Sequence, residues 1–389
     1  MMSRNDSRNG PLGSPLTTLD IARPRLPDAD QILPYLRRID DARQYANFGP
    51  LNSELEQRLA DRFEAVAGAV TGVVTGANAT QLLTITLRAL QSVPGAVYLL
   101  PSWTFVATAH AVLDAGYTPW FVDVSAETGE MTPDCVAAAL AEVSGPVGCV
   151  MPVMPFGAPI DVDAWAAFRD ETGIPVVIDG AAGFDTARRA DVPVVVSLHA
   201  TKVIGAGEGG FLASSDLNLL ADVRQRSNFG FRGTRAAEVC ATNAKLSEYG
   251  AAVALAAMDG WDASRLRWLL AATRLRTALR DIPGIRFQAG WGVTWVSSTC
   301  VVRLDPALRS ELDGVFAAHG ISQRNWWGSG CHQEAAFRNC PRTALPQTEA
   351  WAQTSVGLPF HPDLSDGDAT RIGGALKDAA ARVGGREIG

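Results

Sequence analysis

Residues 194–211, VVVSLHATKVIGAGEGGF, place one lysine where amine chemistry is available. A β-branched apolar run leads into a polar elbow carrying Ser197, His199, Thr201 and Lys202. The glycine-rich GAGEGG follows before apolar residues return. At the mouth of a strand, partly shielded from water, an ammonium loses its proton more easily, and the neutral amine condenses with an aldehyde. Glycines after it let backbone pass close to a flat ligand without Cβ collisions. Pyridoxal phosphate (PLP) is a flat aldehyde of that kind. On this window alone a plainer reading stays open, because most lysines are solvated and a strand followed by a glycine-rich loop is common.

The elements that must position Lys202 read as an alternation. Residues 70–75 form a strand pattern, GANAT a small-residue turn, and residues 80–90 a helix. Such a turn at a helix N-terminus favours an anion, since free N–H groups and the helix dipole point the same way. VYLLP is the next strand, SWTF its turn, and residues 106–115 a helix ending at Gly116. Further strand patterns lie at 118–124, 147–152, 176–179, 192–198 and 211–214, with helices at 132–143, 162–172 and 217–225. This alternation predicts a mostly parallel sheet with helices on both faces. In such sheets ligands gather at the carboxyl ends of the strands, where the turns at 76–80, 101–105, 179–183 and 197–202 lie.

Before this region, residues 28–39 suggest a short helix, and Asn52 or Ser53 is placed to cap a second one containing Leu55, Leu59 and Phe63. After it the pattern changes. Helices at 246–258, 261–279, 306–319 and 366–383, with strands at 293–297 and 299–304, describe a smaller α+β unit. The expected division is a tail at 1–24, a large α/β domain at 25–250 and a smaller domain at 251–389, as the length of 389 residues suggests.

Composition narrows the function. A net charge of −7, from 34 basic and 41 acidic residues without a basic stripe, argues against nucleic acid as a partner. No apolar run approaches the roughly 18 residues of a membrane helix. The opening MMSRNDSRNGPLGSPL lacks the apolar segment of a secretory signal. Six scattered cysteines without a CxxC pair suit reduced thiols, a cytoplasmic setting and no metal site.

Taken together, SLHATKVIGAGEGG, NFGPLNSELE, PSWTFVATAHAVLDAGYTPWFVDV, NAKLSEYGAAVALAAMD and LPFHPDLSD resemble the DegT/DnrJ/EryC1/StrS family. Its members are nucleotide-sugar aminotransferases among the fold type I PLP enzymes, and the resemblance runs from about Asn47 to the C-terminus. It implies a PLP-dependent transfer of an amino group, with L-glutamate as donor and a nucleotide-linked ketosugar, by family frequency a 4-keto-6-deoxy sugar, as acceptor. The transfer is expected to be ping-pong, the cofactor alternating between PLP and its pyridoxamine form (PMP).

The same resemblance assigns roles. Lys202 holds the cofactor as a Schiff base and moves the proton, and Asp179, ending VVID, pairs with the pyridine nitrogen. Ser197 and the turn Ala77, Asn78, Ala79 hold the phosphate, while Phe105 stacks on the ring. Asn243 reaches the phosphate of a neighbouring subunit, which implies a homodimer with shared sites. Arg232, Arg235, Lys245, Arg324 and His332 lie in segments that contribute to substrate recognition.

Three departures stand out. Asn78 replaces the usual Thr or Ser, the segment between Asp179 and Lys202 is short, and Ala182 stands where a Gln or His usually meets the cofactor's phenolic oxygen. Ala182 is the one feature favouring an inactive homologue with a binding role. Sugar dehydratases on the same scaffold carry histidine at the Schiff-base position, and Lys202 argues against them.

Overall fold

A computed structural model describes residues 18–64, 68 and 70–386. Helices α1 (Ala29–Ala42) and α2 (Pro50–Ala60) precede the alternating region. That region runs β1 (Gly72–Gly76), α3 (Ala79–Ala89), β2 (Val97–Pro101), α4 (Val106–Ala115), β3 (Thr118–Val122) and α5 (Pro133–Leu140). It continues with β4 (Val147–Val150), α6 (Val162–Thr172), β5 (Ile178–Asp179), β6 (Val194–Ser197), β7 (Gly210–Ser214) and α7 (Leu217–Ser227). Then come α8 (Glu248–Asp259), α9 (Trp261–Leu279), β8 (Ile285–Phe287), β9 (Cys300–Leu304), α10 (Pro306–Ala318), α11 (Pro346–Thr354), β10 (Ser355–Leu358) and α12 (Asp366–Arg386).

The order β3-β2-β4 is parallel throughout, and β1-β7-β6-β5 continues it through the parallel bridges Val150↔Val176 and Val153↔Asp179. Only β7 among these strands runs against its neighbours. The strands are apolar on both faces, with Val195, Val196, Leu99 and Leu212 fully buried, as a sheet covered by helices requires. Consequently Gly76, Pro101, Val150, Asp179 and Ser197 end their strands along one edge. The second sheet, β10-β9-β8, is antiparallel, and α12 packs against α9 and α10. The fold is mixed α/β. Among the described residues no helix is long and apolar enough to cross a membrane.

Several local expectations change on contact with the rest of the chain. The strand expected at 293–297 is a turn, because left-handed Gly290 (φ 74°) and Gly292 (φ 69°) break the extension and leave only the isolated bridge Trp291↔Trp295. Of the tail expected at 1–24, residues 1–17 lie outside the described residues. Leu19 is buried and bridges Ile321, and the Ile21 carbonyl accepts from Phe360 N at 3.1 Å, so this part is anchored.

The cap of α2 is also not where the sequence put it. The helix begins at Pro50, one turn earlier than an Asn52 or Ser53 cap would allow, and its N-cap Gly49 offers no side chain. Instead, the buried Glu248 carboxylate accepts from Leu51 N at 2.8 Å and Asn52 N at 2.9 Å. A Cβ on Gly49 would stand 2.6 Å from Glu248 Cδ, so the glycine makes room for this remote cap. Asn52 itself accepts from Thr75 Oγ1 at 2.6 Å, tying α2 to β1. Glu248→Ala leaves two buried amides unpaired and is expected to cost about 2–4 kcal/mol, read from urea unfolding midpoints.

Candidate active site

Asp179 ends β5 in a buried position. Its Oδ2 accepts from Thr108 Oγ1 at 2.7 Å and its Oδ1 from the Ala181 amide at 3.0 Å. Burial raises its pKa, against the two hydrogen bonds and the charge of Lys202. Lys202 sits on the loop leaving β6, which is closed by Leu198 N→Gly209 O at 2.9 Å, Ala206 N→Leu198 O at 2.7 Å and Lys202 N→His199 O at 2.9 Å. Burial lowers the Lys202 pKa and the Asp179 charge partly restores it. The two groups are therefore within electrostatic reach, and the fold works against charge on both.

The turn at the start of α3 meets the end of β6 through a glycine contact. In register, Gly210 faces both Ser197 and Gly76, and a Cβ on it would lie 2.8 Å from Ala79 N. Asn78 caps α3, its Oδ1 accepting from Gln81 N at 2.8 Å. Ala77 N donates to Ala244 O at 2.7 Å, so that amide is committed within the fold. Ser197 is buried, with Oγ accepting from His199 N at 3.2 Å. Phe105 precedes α4 and is 58% exposed, an open aromatic face at a strand end. Lys202, Asp179, Ser197, Phe105 and the 77–79 turn thus lie along one edge of the sheet.

The remaining candidates divide into two groups. Asn243 is exposed and bridges Asn228, adjoining the 77–79 turn through Ala244. Lys245 Nζ donates to Asn228 Oδ1 at 3.0 Å and lies 4.3 Å from the Phe229 ring centroid, and burial lowers its pKa. Arg232 pairs with Asp222 at 3.6 Å, and Arg235 is exposed on the same loop. In the second group, Arg324 pairs its backbone with Gly357 and lays its guanidinium over Trp326 at 4.9 Å. His332 is buried, with Nδ1 2.7 Å from Ser102 Oγ and Nε2 2.9 Å from Gln333 Nε2. It braces the turn after β2 rather than facing open space.

Two hydroxyls escaped the reading of the sequence. Thr104 and Thr108 belong to the PSWTFVAT run, where the aromatic drew attention, yet their oxygens lie 2.9 Å apart and lead to Asp179. The signal available was a pair of threonines flanking the start of α4, Thr104 just before its N-cap Phe105 and Thr108 in its first turn. Ala182 points its carbonyl at Gly157, where a Cβ would come within 2.5 Å. A separate cleft of about 310 Å³, lined by Asp161, Asp163, Ile178, Arg188 and Arg189, includes none of the site residues above.

Comparison with known proteins identifies this arrangement. The DegT/DnrJ/EryC1/StrS aminotransferase family model matches residues 28–377. Protein Rv3402c of Mycobacterium tuberculosis (strain H37Rv) is 30% identical over 394 residues, covering 96% of this chain and 92% of that protein. The crystal structure of an assigned PLP-dependent aminotransferase from Bacillus cereus ATCC 10987 is 26% identical, with a TM-score of 0.86 over 92% of this chain and 100% of its own. DesI, crystallised in the presence of its TDP-sugar product, is 30% identical, with a TM-score of 0.84 over 97% of this chain and 96% of that one.

The residues present fit PLP. Asp179 is a buried carboxylate on which Lys202 is the one charged group that acts among the described residues. A protonated ring nitrogen supplies the opposite charge that burial demands. A lysine with a lowered pKa suits an aldehyde. The chain belongs to the DegT/DnrJ/EryC1/StrS aminotransferase family and is a PLP-dependent aminotransferase of fold type I.

Proposed function

We propose that the protein moves an amino group from L-glutamate to a nucleotide-linked ketosugar, a 4-keto-6-deoxy sugar, in two half-reactions of a ping-pong cycle. The observation that carries this reading is half-buried Lys202 within electrostatic reach of buried Asp179 at the strand ends. The likeness to DesI supports the sugar nucleotide. When bound, the cofactor supplies an electron sink. Lys202 binds it through Nζ, yields that place to the incoming amine, and then carries the proton as a neutral amine. Asp179 holds a proton on the ring nitrogen.

Ser197 and the Asn78 and Ala79 amides of the 77–79 turn hold the phosphate, with Ala77 shaping the turn through Ala244 and the α3 dipole behind them, and Phe105 covers the ring. Asn243, exposed beside that turn, reaches the phosphate of a second copy, so the working unit is a homodimer. Lys245, Arg232 and Arg235 place positive charge on one loop, suited to the diphosphate of the substrate. Arg324 and His332, both on the segment between α10 and α11, contribute further to substrate recognition, His332 through Ser102.

The test is the absorbance of purified protein with PLP. Adding L-glutamate is expected to replace the visible band by a near-ultraviolet one, and a nucleotide-linked 4-keto-6-deoxy sugar to restore it. No change with glutamate overturns the donor. Restoration only by ketones lacking a nucleotide overturns the acceptor.

A further inference from the structure

Thr108 lies on the first turn of α4 with its hydroxyl wholly buried, and it makes a bond the sequence motifs do not announce. Its Oγ1 donates to Asp179 Oδ2 at 2.7 Å. A hydroxyl carries one proton, so a Thr108 that donates to Asp179 must accept from its other neighbour. That neighbour is Thr104 Oγ1 at 2.9 Å, also buried. The protons therefore run one way, from Thr104 to Thr108 to the carboxylate. Thr104 is in turn held by its amide donating to Ser102 O at 3.1 Å and by Cys331 Sγ donating to its carbonyl at 3.4 Å.

We propose that Thr108, with its proton set by Thr104, is a positioning residue that orients the Asp179 carboxylate toward the cofactor ring nitrogen and keeps it ionised. This rests on the reading that Asp179 faces that nitrogen. The physical argument is that burial disfavours the charged carboxylate, while a donor aimed at one oxygen favours it and fixes rotation about χ2. The Ala181 amide holds the other oxygen at 3.0 Å, so the pair of donors leaves the carboxylate one orientation. Lys202 is the charged group acting on it, and a bound cofactor would add a second.

The test compares Thr108→Val, which keeps the shape, with Thr108→Ser, which keeps the hydroxyl. The Asp179 side chain is titrated by carbon-13 NMR in cofactor-free protein, its signal assigned by its loss in Asp179→Asn. PLP affinity and the pH profile of amine transfer are measured on the loaded enzyme. In Thr108→Val the Asp179 midpoint is expected to move up, by roughly a tenfold change in proton affinity. The acid limb of the pH profile moves with it, while Thr108→Ser behaves as the parent. Thr104→Val, which removes only the donor behind Thr108, is expected to fall between the two.

A Thr108→Val protein that titrates like the parent overturns the proposal. Should Asp179→Asn leave PLP affinity and turnover unchanged, the ring-pairing assignment falls instead, and the NMR midpoint still reports whether Thr108 acts on the carboxylate.

Discussion

Lys202→Ala is expected to lose the visible absorbance of bound cofactor and to slow amine transfer by a factor of about 10⁴ or more. In the proposed reaction this side chain is both the covalent attachment and the proton carrier, so no neighbour substitutes for it. Thr201 and His199 engage each other, with His199 Nδ1 2.8 Å from Thr201 Oγ1. Borohydride reduction checks the assignment directly, because it fixes PLP to the parent chain and not to the variant. A variant that keeps full turnover sinks it.

The environment of Lys202 also sets a pH dependence. Burial lowers its pKa from the ordinary 10.5, and the negative charge of Asp179 works the other way. The neutral amine is therefore present at lower pH than for a solvated lysine. The rate at which cofactor-free protein takes up PLP should rise with pH and level off below 10.5.

Asp179→Asn is expected to reduce turnover by at least about a hundredfold, because a neutral amide cannot hold the ring nitrogen protonated. The fold is not expected to suffer. In the folded chain burial raises the Asp179 pKa above 3.8. As pH rises through 3.8 the unfolded chain releases its proton first, so from there to the folded pKa this carboxyl makes the native state progressively less stable. Asparagine removes that cost and gives up one accepting oxygen. The thermal midpoint of cofactor-free protein at neutral pH should be unchanged or higher. Lost turnover with an intact thermal transition separates chemistry from folding, and a variant that turns over normally removes Asp179 from the mechanism.

What the sequence alone determined were features whose causes lie within a few residues. The helix at 261–279 was read with both ends correct, since its apolar face and its Ile282-Pro283-Gly284 stop are local. VYLLP and the GANAT turn follow from the same kind of short-range pattern. The residues around Lys202 were legible because amine, turn and glycines are contiguous. The family resemblance reached Asp179 and Ser197, whose motifs are also continuous runs.

Tertiary structure decided what depends on partners far along the chain. Glu248 caps α2 from 197 residues away, so no window around Asn52 or Ser53 contains the true cap. His332 is held by Ser102 across 230 residues, which turns a candidate substrate contact into a brace. Thr108 meets Asp179 across 71 residues, and neither helix spacing nor strand pattern brings that carboxylate into view from α4. The Thr108–Asp179 bond exists only once the sheet order has placed β2 beside β4 and β4 beside β5. The identity of the reactive groups is a property of the chain, whereas their protonation and orientation are properties of the assembled sheet edge.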